Sequence, residues 1–437
     1  MKKHEKYKDS GVPWIGEIPK DWKVEKLKRV LIIQKDISVK NNPVVLSLAR
    51  DGVKVRDISS NEGQIASTYE NYNLVKRGDL LLNPMDLISG ANCSYSYVYG
   101  VISPAYFNLR AHKGYHTKYY DYFFKVQYWT LALFAHGKGV SKENRWTLNT
   151  ETLKQYYVLT SSFSEQKKIT DYLDDNMVLI DKIISEKQVL IKKLKEYRQA
   201  IINEALTKGL DKNALLKDSG VKWIEEIPEG WNIKRLKYIS RAPLMYGANE
   251  VASDENAEHP RYIRITDIDE TGHLKTNTFK SLLPEIAKTY LLDKNDILFA
   301  RSGASVGKTY IHESTTNACF AGYLIKFSVN SDIAMAKFIY YNTLTNKYLN
   351  WINRNTIQAT IQNISAEKYN NYEIILPSLE KQNEIVNYLN CKTNKIGNTI
   401  MDIEQQITKL QEYKKSIISE AVTGKIKIEE HISKGVI

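Results

Sequence analysis

A chain of 437 residues with 43% hydrophobic and 26% charged side chains can bury two or three cores, which excludes a disordered or fibrous protein. Its net charge of +12 calls for a polyanionic partner, either nucleic acid or an anionic membrane surface. No apolar run is long enough to span a bilayer and residues 1–11 carry no secretory signal, so a cytoplasmic protein is expected.

The first feature in chain order is a leader at residues 8–28, KDSGVPWIGEIPKDWKVEKLK. It returns at 217–237 as KDSGVKWIEEIPEGWNIKRLK, with 13 of 21 positions identical, so the chain is two copies of one unit. Trp14 and Trp223 are expected as core anchors closing each repeat, with partner docking as the other reading. Cys93, Cys319 and Cys391 form no C-x-x-C pair and are expected as small buried hydrophobes.

Residues 30–160 alternate short β-branched and aromatic runs with Gly, Asn and Asp, the pattern of a mixed α+β domain, with a helix expected from Lys118 to Leu133. The run Asp79-Leu80-Leu81-Leu82 reads as a buried strand, and the loop after it offers Asn83, Ser89 and Asn92. A second polar segment, before the last strand, offers Lys138, Lys142, Asn144 and Arg145. These are side chains whose donors and acceptors match base edges, while a plain structural turn is the competing reading of the loop. His112 and His116 have the spacing of metal ligands on a helix, but Gly114 lies between them and a third ligand is missing, so no metal site is expected.

From Ser164 to Leu206, Ile169, Leu173, Asn176, Ile180, Ile183, Lys187, Leu190, Leu194, Tyr197 and Ile201 recur at alternating spacings of four and three, a coiled-coil seam. Ser162 and Glu165 resemble a capping box, Gly209 a stop, and Asn176 and Lys187 polar positions able to fix register. About 40 helical residues extend about 60 Å, close to two turns of duplex DNA, which suits a spacer as well as simple pairing of the two repeats.

The second copy repeats this order. Residues 240–376 are again mixed, with a helix expected from Ile333 to Trp351 and the strand Asp296-Ile297-Leu298-Phe299 matching that at Asp79. The loop after it, Arg301 to Thr309, ends like a nucleotide phosphate loop. Only three residues separate Gly303 and Gly307 where that motif needs four, so nucleotide hydrolysis is disfavoured and Arg301, Ser302, Ser305 and Lys308 are assigned to DNA. The second segment here offers Arg354, Asn355, Gln358 and Gln362. Ile385, Leu389, Ile396, Ile400, Ile403, Ile407, Leu410 and Ile417 mark another long helix, opening at Pro377 and stopping at Gly424. LQEYKKSIISEAVT at 410–423 repeats LKEYRQAIINEALT at 194–207 in 8 of 14 positions. No G-x-S-x-G turn or acid–base pair stands out, and Asn83-Pro84-Met85-Asp86 only partly echoes the tetrapeptide of adenine methyltransferases, so no catalytic residue is expected.

The duplicated W-I-x-E-I-P leader, two divergent regions and helices entered through Ser164-Glu165-Gln166-Lys167 and Glu380-Lys381-Gln382 together resemble the specificity subunits of type I restriction-modification systems over essentially the whole chain. The resemblance implies two target-recognition domains, each reading one half of a bipartite asymmetric site on double-stranded DNA, separated by two long antiparallel helices. It implies two methyltransferase subunits and restriction motor-nuclease subunits as partners, and no membrane. S-adenosylmethionine would then belong to the methyltransferase, ATP and Mg to the motor-nuclease, and no cofactor to this chain. The expected fold is α+β, internally duplicated and pseudo-twofold: recognition domain 1–160, spacer helix 161–210, recognition domain 211–376, spacer helix 377–426 and tail 427–437. The competing reading is a coiled-coil scaffold whose paired domains bind protein or RNA without sequence selectivity.

Overall fold

The computed structural model describes residues 2–37, 43–58, 66, 68–90, 92–139, 146–221, 224, 226–269, 272–356 and 363–429. Two compact units divide the chain, one formed by Met1–Lys187 with Glu404–Ile437 and the other by Gln188–Ile403. Both boundaries fall inside the long helices, so each unit holds one recognition segment and a portion of each helix.

In the first unit the leader forms a hairpin of Tyr7–Asp9 with Glu17–Pro19, and Lys23–Lys26 pairs antiparallel with Tyr157–Thr160, which joins the beginning and end of the recognition segment. Its central sheet is antiparallel in the order Leu31–Gln34, Phe107–Ala111, Leu80–Leu82, Cys93–Tyr95. Apolar runs such as Leu80–Leu82 are buried throughout because the sheet is covered by the helix Thr117–Trp129 and its tyrosines and phenylalanines. The second unit has the same plan. Leu216–Asp218 pairs with Glu226–Pro228 and Asn232–Arg235 with Glu373–Leu376, and a four-stranded sheet runs Met245–Tyr246, Leu324–Phe327, Ile297–Ala300, Thr309–Ile311. The correspondence extends to the flank. Gly100–Ile102 lies between a parallel bridge from Val45 and antiparallel Asn73–Val75, and Ala318–Phe320 lies between parallel Arg261–Ile263 and an antiparallel bridge from Leu291.

The shared aspartate before the central strand is a buried tie in both units. Asp79 accepts from the Lys76 amide, from Asn108, and from Arg110 Nε and Nη2 at 2.7 and 2.9 Å. Asp296 accepts from the Asp293 amide at 2.9 Å and from the Ser328 hydroxyl at 2.6 Å.

The two long helices span Phe163–Lys208 and Leu379–Val422. Ser162 caps the first by accepting the Glu165 amide at 3.2 Å, and Ser378 caps the second by accepting the Lys381 amide at 3.4 Å. Helix two therefore opens at Leu379, two residues after the expected Pro377, with Ser378 as its cap, because a serine hydroxyl can accept a first-turn amide and proline has no side-chain acceptor. Gly209 and Gly424 follow the helix ends at φ +79° and +71°, the left-handed stop only glycine adopts freely. Beside them sit the buried Trp231 and Trp22, while Trp14 is 40% exposed, edge-to-face with His136 and tilted against Tyr156. The anchoring role expected of Trp14 belongs to the second tryptophan of each leader, and Trp223 lies outside the described residues.

The helices run antiparallel where Lys187 donates to Gln406 and Lys414 pairs with Asp181 in the first unit. Ile169, Leu173, Met177 and Ile180 pack there with Ile417 and Ala421. Further on, Leu190 and Tyr197 are exposed and Ile191 takes the inward place, because a straight helix drifts about 20° per heptad away from a 3.5-residue seam. Asn176 donates to Tyr172 O of its own helix, so it does not set register. Two other expectations shift. The aromatic stretch from Ile333 folds as two helices, Ala336–Asn342 and Asn346–Thr356, and Cys391 is exposed while Cys93 and Cys319 are buried. No described helix is long and apolar enough to cross a membrane.

Candidate nucleic-acid interface

In each unit the buried central strand leaves the sheet through a loop and returns as the neighbouring antiparallel strand. The first loop is closed by the Asn83 amide on Asn92 O at 2.8 Å. Inside it, Asn83 Oδ1 accepts from the Met85 amide, and Asp86 accepts from the amides of Ile88 and Ser89 and from the Ser89 hydroxyl. Burial pushes the Asp86 carboxyl up, but those hydrogen bonds outweigh it and hold it below its usual range. Asn92 is buried, its amide donating to Asp86 O at 3.1 Å and Ser89 Oγ at 3.4 Å. It is therefore a structural tie of the loop; Met85, Ile88 and Ser89 are its exposed part.

The second loop has the same closure with different side chains. Gly307 N donates to Ala300 O and Ala300 N to Lys308 O, both at 2.8 Å, around a short 3-10 turn at Gly303–Ser305. Ile352 sits beneath Gly307 so closely that any Cβ would lie within 2.8 Å of it. Because the segment joins two antiparallel strands and not a strand to a helix, it cannot cradle a nucleotide as a phosphate loop does. Ser302 is drawn into a bridge with Asn363, and Lys308 Nζ donates to Ile268 O at 3.2 Å. Arg301 is partly exposed with its guanidinium 4.7 Å over the Tyr246 ring.

In each unit the chain just past the second candidate segment meets the first loop. Leu148 N donates to Pro84 O at 3.0 Å in the first, and Ile364 N to Arg301 O at 2.8 Å in the second. Lys138 is exposed and paired with Thr147 through two backbone hydrogen bonds, while Lys142, Asn144 and Arg145 lie outside the described residues, as do Gln358 and Gln362. Arg354 is exposed on the helix Asn346–Thr356, and Asn355 bonds back to Trp351 O at 2.8 Å. Arg50 also lies beside the loop of the first unit, without a signal in the sequence around it. It comes from the hairpin Leu46–Ala49/Gly52–Val55, and its Nε lies 4.0 Å from a Cβ built on Gly90, bringing to the first loop the basic group its own sequence lacks. Nothing near Asn83 in sequence signals it.

His112 and His116 share no helix face: His112 donates its backbone amide to Val30 O, and His116 sits at the N-cap position of the helix Thr117–Trp129 without a side-chain cap. Among the described residues no group of three His, Cys, Asp or Glu side chains is arranged to hold a metal.

Residues 228–409 match the family model described as the type I restriction modification DNA specificity domain. The chain is 25% identical over 398 residues to the EcoBI type I restriction enzyme specificity subunit of Escherichia coli, covering 88% of this chain and 80% of that protein. It is 23% identical over 447 residues to the putative MjaX specificity subunit of Methanocaldococcus jannaschii, covering 95% and 96%. Among solved structures, a chain from work on complex assembly and conformational transition of the type I R-M system aligns with TM-score 0.70 at 15% identity, covering 94% of this chain and 99% of that one. The HsdS subunit of Thermoanaerobacter tengcongensis aligns with TM-score 0.52 at 14% identity, covering 94% and 98%.

Proposed function

Since this chain belongs to the DNA specificity subunits of type I restriction-modification systems, non-catalytic proteins that recognise a DNA sequence for their complex, we propose that its two loop pairs each read one half of a bipartite, asymmetric site. The observation that carries this reading is one backbone scaffold bearing two chemistries. The loop after the central strand is closed by the same strand-to-strand hydrogen bonding in both units, yet one presents Asn83, Ser89 and Arg50 and the other Arg301 and Ser305. Identical scaffolds with different polar side chains select different base sequences, so the target is not a palindrome. Lys138, Arg354 and the net positive charge add phosphate contacts that strengthen binding without choosing bases.

The helices support two further roles. Their continuous length fixes the gap between the half-sites, and exposed apolar residues outside the seam, Val189, Leu190 and Tyr197, give two methyltransferase subunits a place to dock. Those subunits would bring S-adenosylmethionine for adenine N6 methylation, and motor-nuclease subunits ATP and Mg for cleavage of unmethylated DNA.

The test is single-molecule sequencing of genomic DNA from cells expressing this chain with its companion methyltransferase, compared with a deletion of its gene. The expected outcome is loss of N6-methyladenine at one split asymmetric motif with a fixed gap. An unchanged methylome, with the methyltransferase expressed and bound, would instead favour a scaffold without DNA selectivity.

A further inference from the structure

Three arginines of the second unit are neutralised by carboxylates: Arg235 by Glu373, Arg241 by Asp293 and Arg264 by Asp267. Arg301 is held differently. Its amide donates to Tyr323 O at 3.0 Å and its carbonyl accepts the Ile364 amide at 2.8 Å, so its backbone is fixed from two sides. Its guanidinium lies over the Tyr246 ring at 4.7 Å, and its Nε is sealed from solvent with no acceptor among the described residues. Tyr246 is itself anchored, its hydroxyl accepting the Ala366 amide at 2.9 Å at the start of the helix Ala366–Asn370. No carboxylate among the described residues pairs with Arg301.

We propose that Arg301 reads a guanine in one half-site and that Tyr246 is its positioning residue; this rests on the DNA-reading function proposed above. The chemistry follows from the geometry. A planar guanidinium matches guanine O6 and N7 with two parallel N–H donors, whereas an ammonium offers a point charge without that fork. Stacking on a fixed ring removes most of the rotamer freedom that an arginine would otherwise lose on binding, and it sets the plane in which the fork approaches the base edge. Of the other polar residues of the loop, Lys308 Nζ already donates to Ile268 O, and Ser302 is held by a backbone bridge to Asn363.

Methylome sequencing of the full chain with its methyltransferase, in wild type and in Arg301→Lys, Tyr246→Ala and Tyr246→Phe, tests this. The wild-type motif should contain a guanine, on either strand, at a position where Arg301→Lys lowers discrimination by about tenfold or more. The other half-site should stay unchanged. Tyr246→Ala should relax the same base pair to a smaller degree, and Tyr246→Phe, which keeps the ring but loses its bond to the Ala366 amide, should relax it less than Tyr246→Ala does. An Arg301→Lys variant with the wild-type motif and discrimination would overturn the proposal. So would a uniform loss of methylation across all sequences, which marks a phosphate contact, or relaxation at a pair without a guanine. If Tyr246→Ala fails to assemble with the methyltransferase, Arg301→Lys still decides the guanine assignment, and Tyr246→Phe retaining discrimination against a relaxed Tyr246→Leu decides the positioning role. A wild-type strain with no split motif would refute the underlying function instead, a result distinct from a normal motif that Arg301→Lys leaves intact.

Discussion

Asp79 illustrates how a residue readable in the sequence acquires its meaning only in three dimensions. Its carboxylate is fully buried and gathers Arg110, Asn108 and the Lys76 amide. Replacing it with alanine strands those donors; because Arg110 stays partly exposed and can reach water, the expected loss is about 2–3 kcal/mol, less than for a wholly buried pair. Urea unfolding of Asp79→Ala against Asp79→Asn checks this, with the asparagine variant less affected. The alignment of Asp79 with Asp296 was legible because both precede the same apolar run, but nothing local says that one meets a guanidinium and the other a serine hydroxyl. The candidate site divides in the same way. The exposure of Ser89 and the part-exposure of Arg301 agree with their place in polar loops, whereas the burial of Asn92 is set by neighbours a loop away and Arg50 arrives from a separate hairpin that no local window reports. Gln166 and Gln382 were overlooked as well. Each is fully buried, the fourth residue of its long helix, and accepts the backbone amide of His116 or Met335, which ties it to the start of the helix Thr117–Trp129 or Ala336–Asn342.

At the scale of elements, the long helices were the most legible part of the chain, since caps, stops and apolar periodicity are local signals. Their seam was legible only where the heptad and the 3.6-residue turn stay in phase, which is why Ile169 and Leu173 are buried as expected and Leu190 and Tyr197 are not. Register belongs to the Lys187–Gln406 and Lys414–Asp181 contacts, not to Asn176. Asn176→Leu should therefore leave helix pairing intact, while Lys187→Leu combined with Lys414→Ala should loosen it, read as faster amide hydrogen exchange confined to residues near 181–187 and 406–414. In the recognition segments, strand existence was visible from short β-branched runs, but the pairing partners were not: Lys23–Lys26 finds Tyr157–Thr160 across more than a hundred intervening residues. Pairings at that separation depend on the whole domain closing, which no window of sequence reports.

For the molecule as a whole, duplication was the decisive reading, and it carried over to strand order and sheet neighbours in both units. What it did not reveal is how the first unit is completed. Tyr119 donates to Val422 O, Tyr7 reaches Gly424 and Lys425, and Lys2 bridges to Lys427 and pairs with Glu429, while Ile417, Ile418, Val422 and Ile426 lie in the same core as Trp22 and Leu27. A chain ending at residue 416 should lose this core but keep the second, so calorimetry of the truncated protein should show one of two transitions missing or markedly lowered.

The same feature imposes an order in time. A ribosome releases the first unit's strands early, yet the residues that seal them emerge roughly 200 positions after its last upstream residue, Lys187. At translation speeds of about 5–20 residues per second, the unit begun first waits on the order of tens of seconds with Trp22 and its neighbours uncovered, while the second, contiguous in the chain, can close before it. The half made first is the last to be finished, and a copy terminated after residue 403 but before Ile417 carries an open core at its beginning and a closed one behind it.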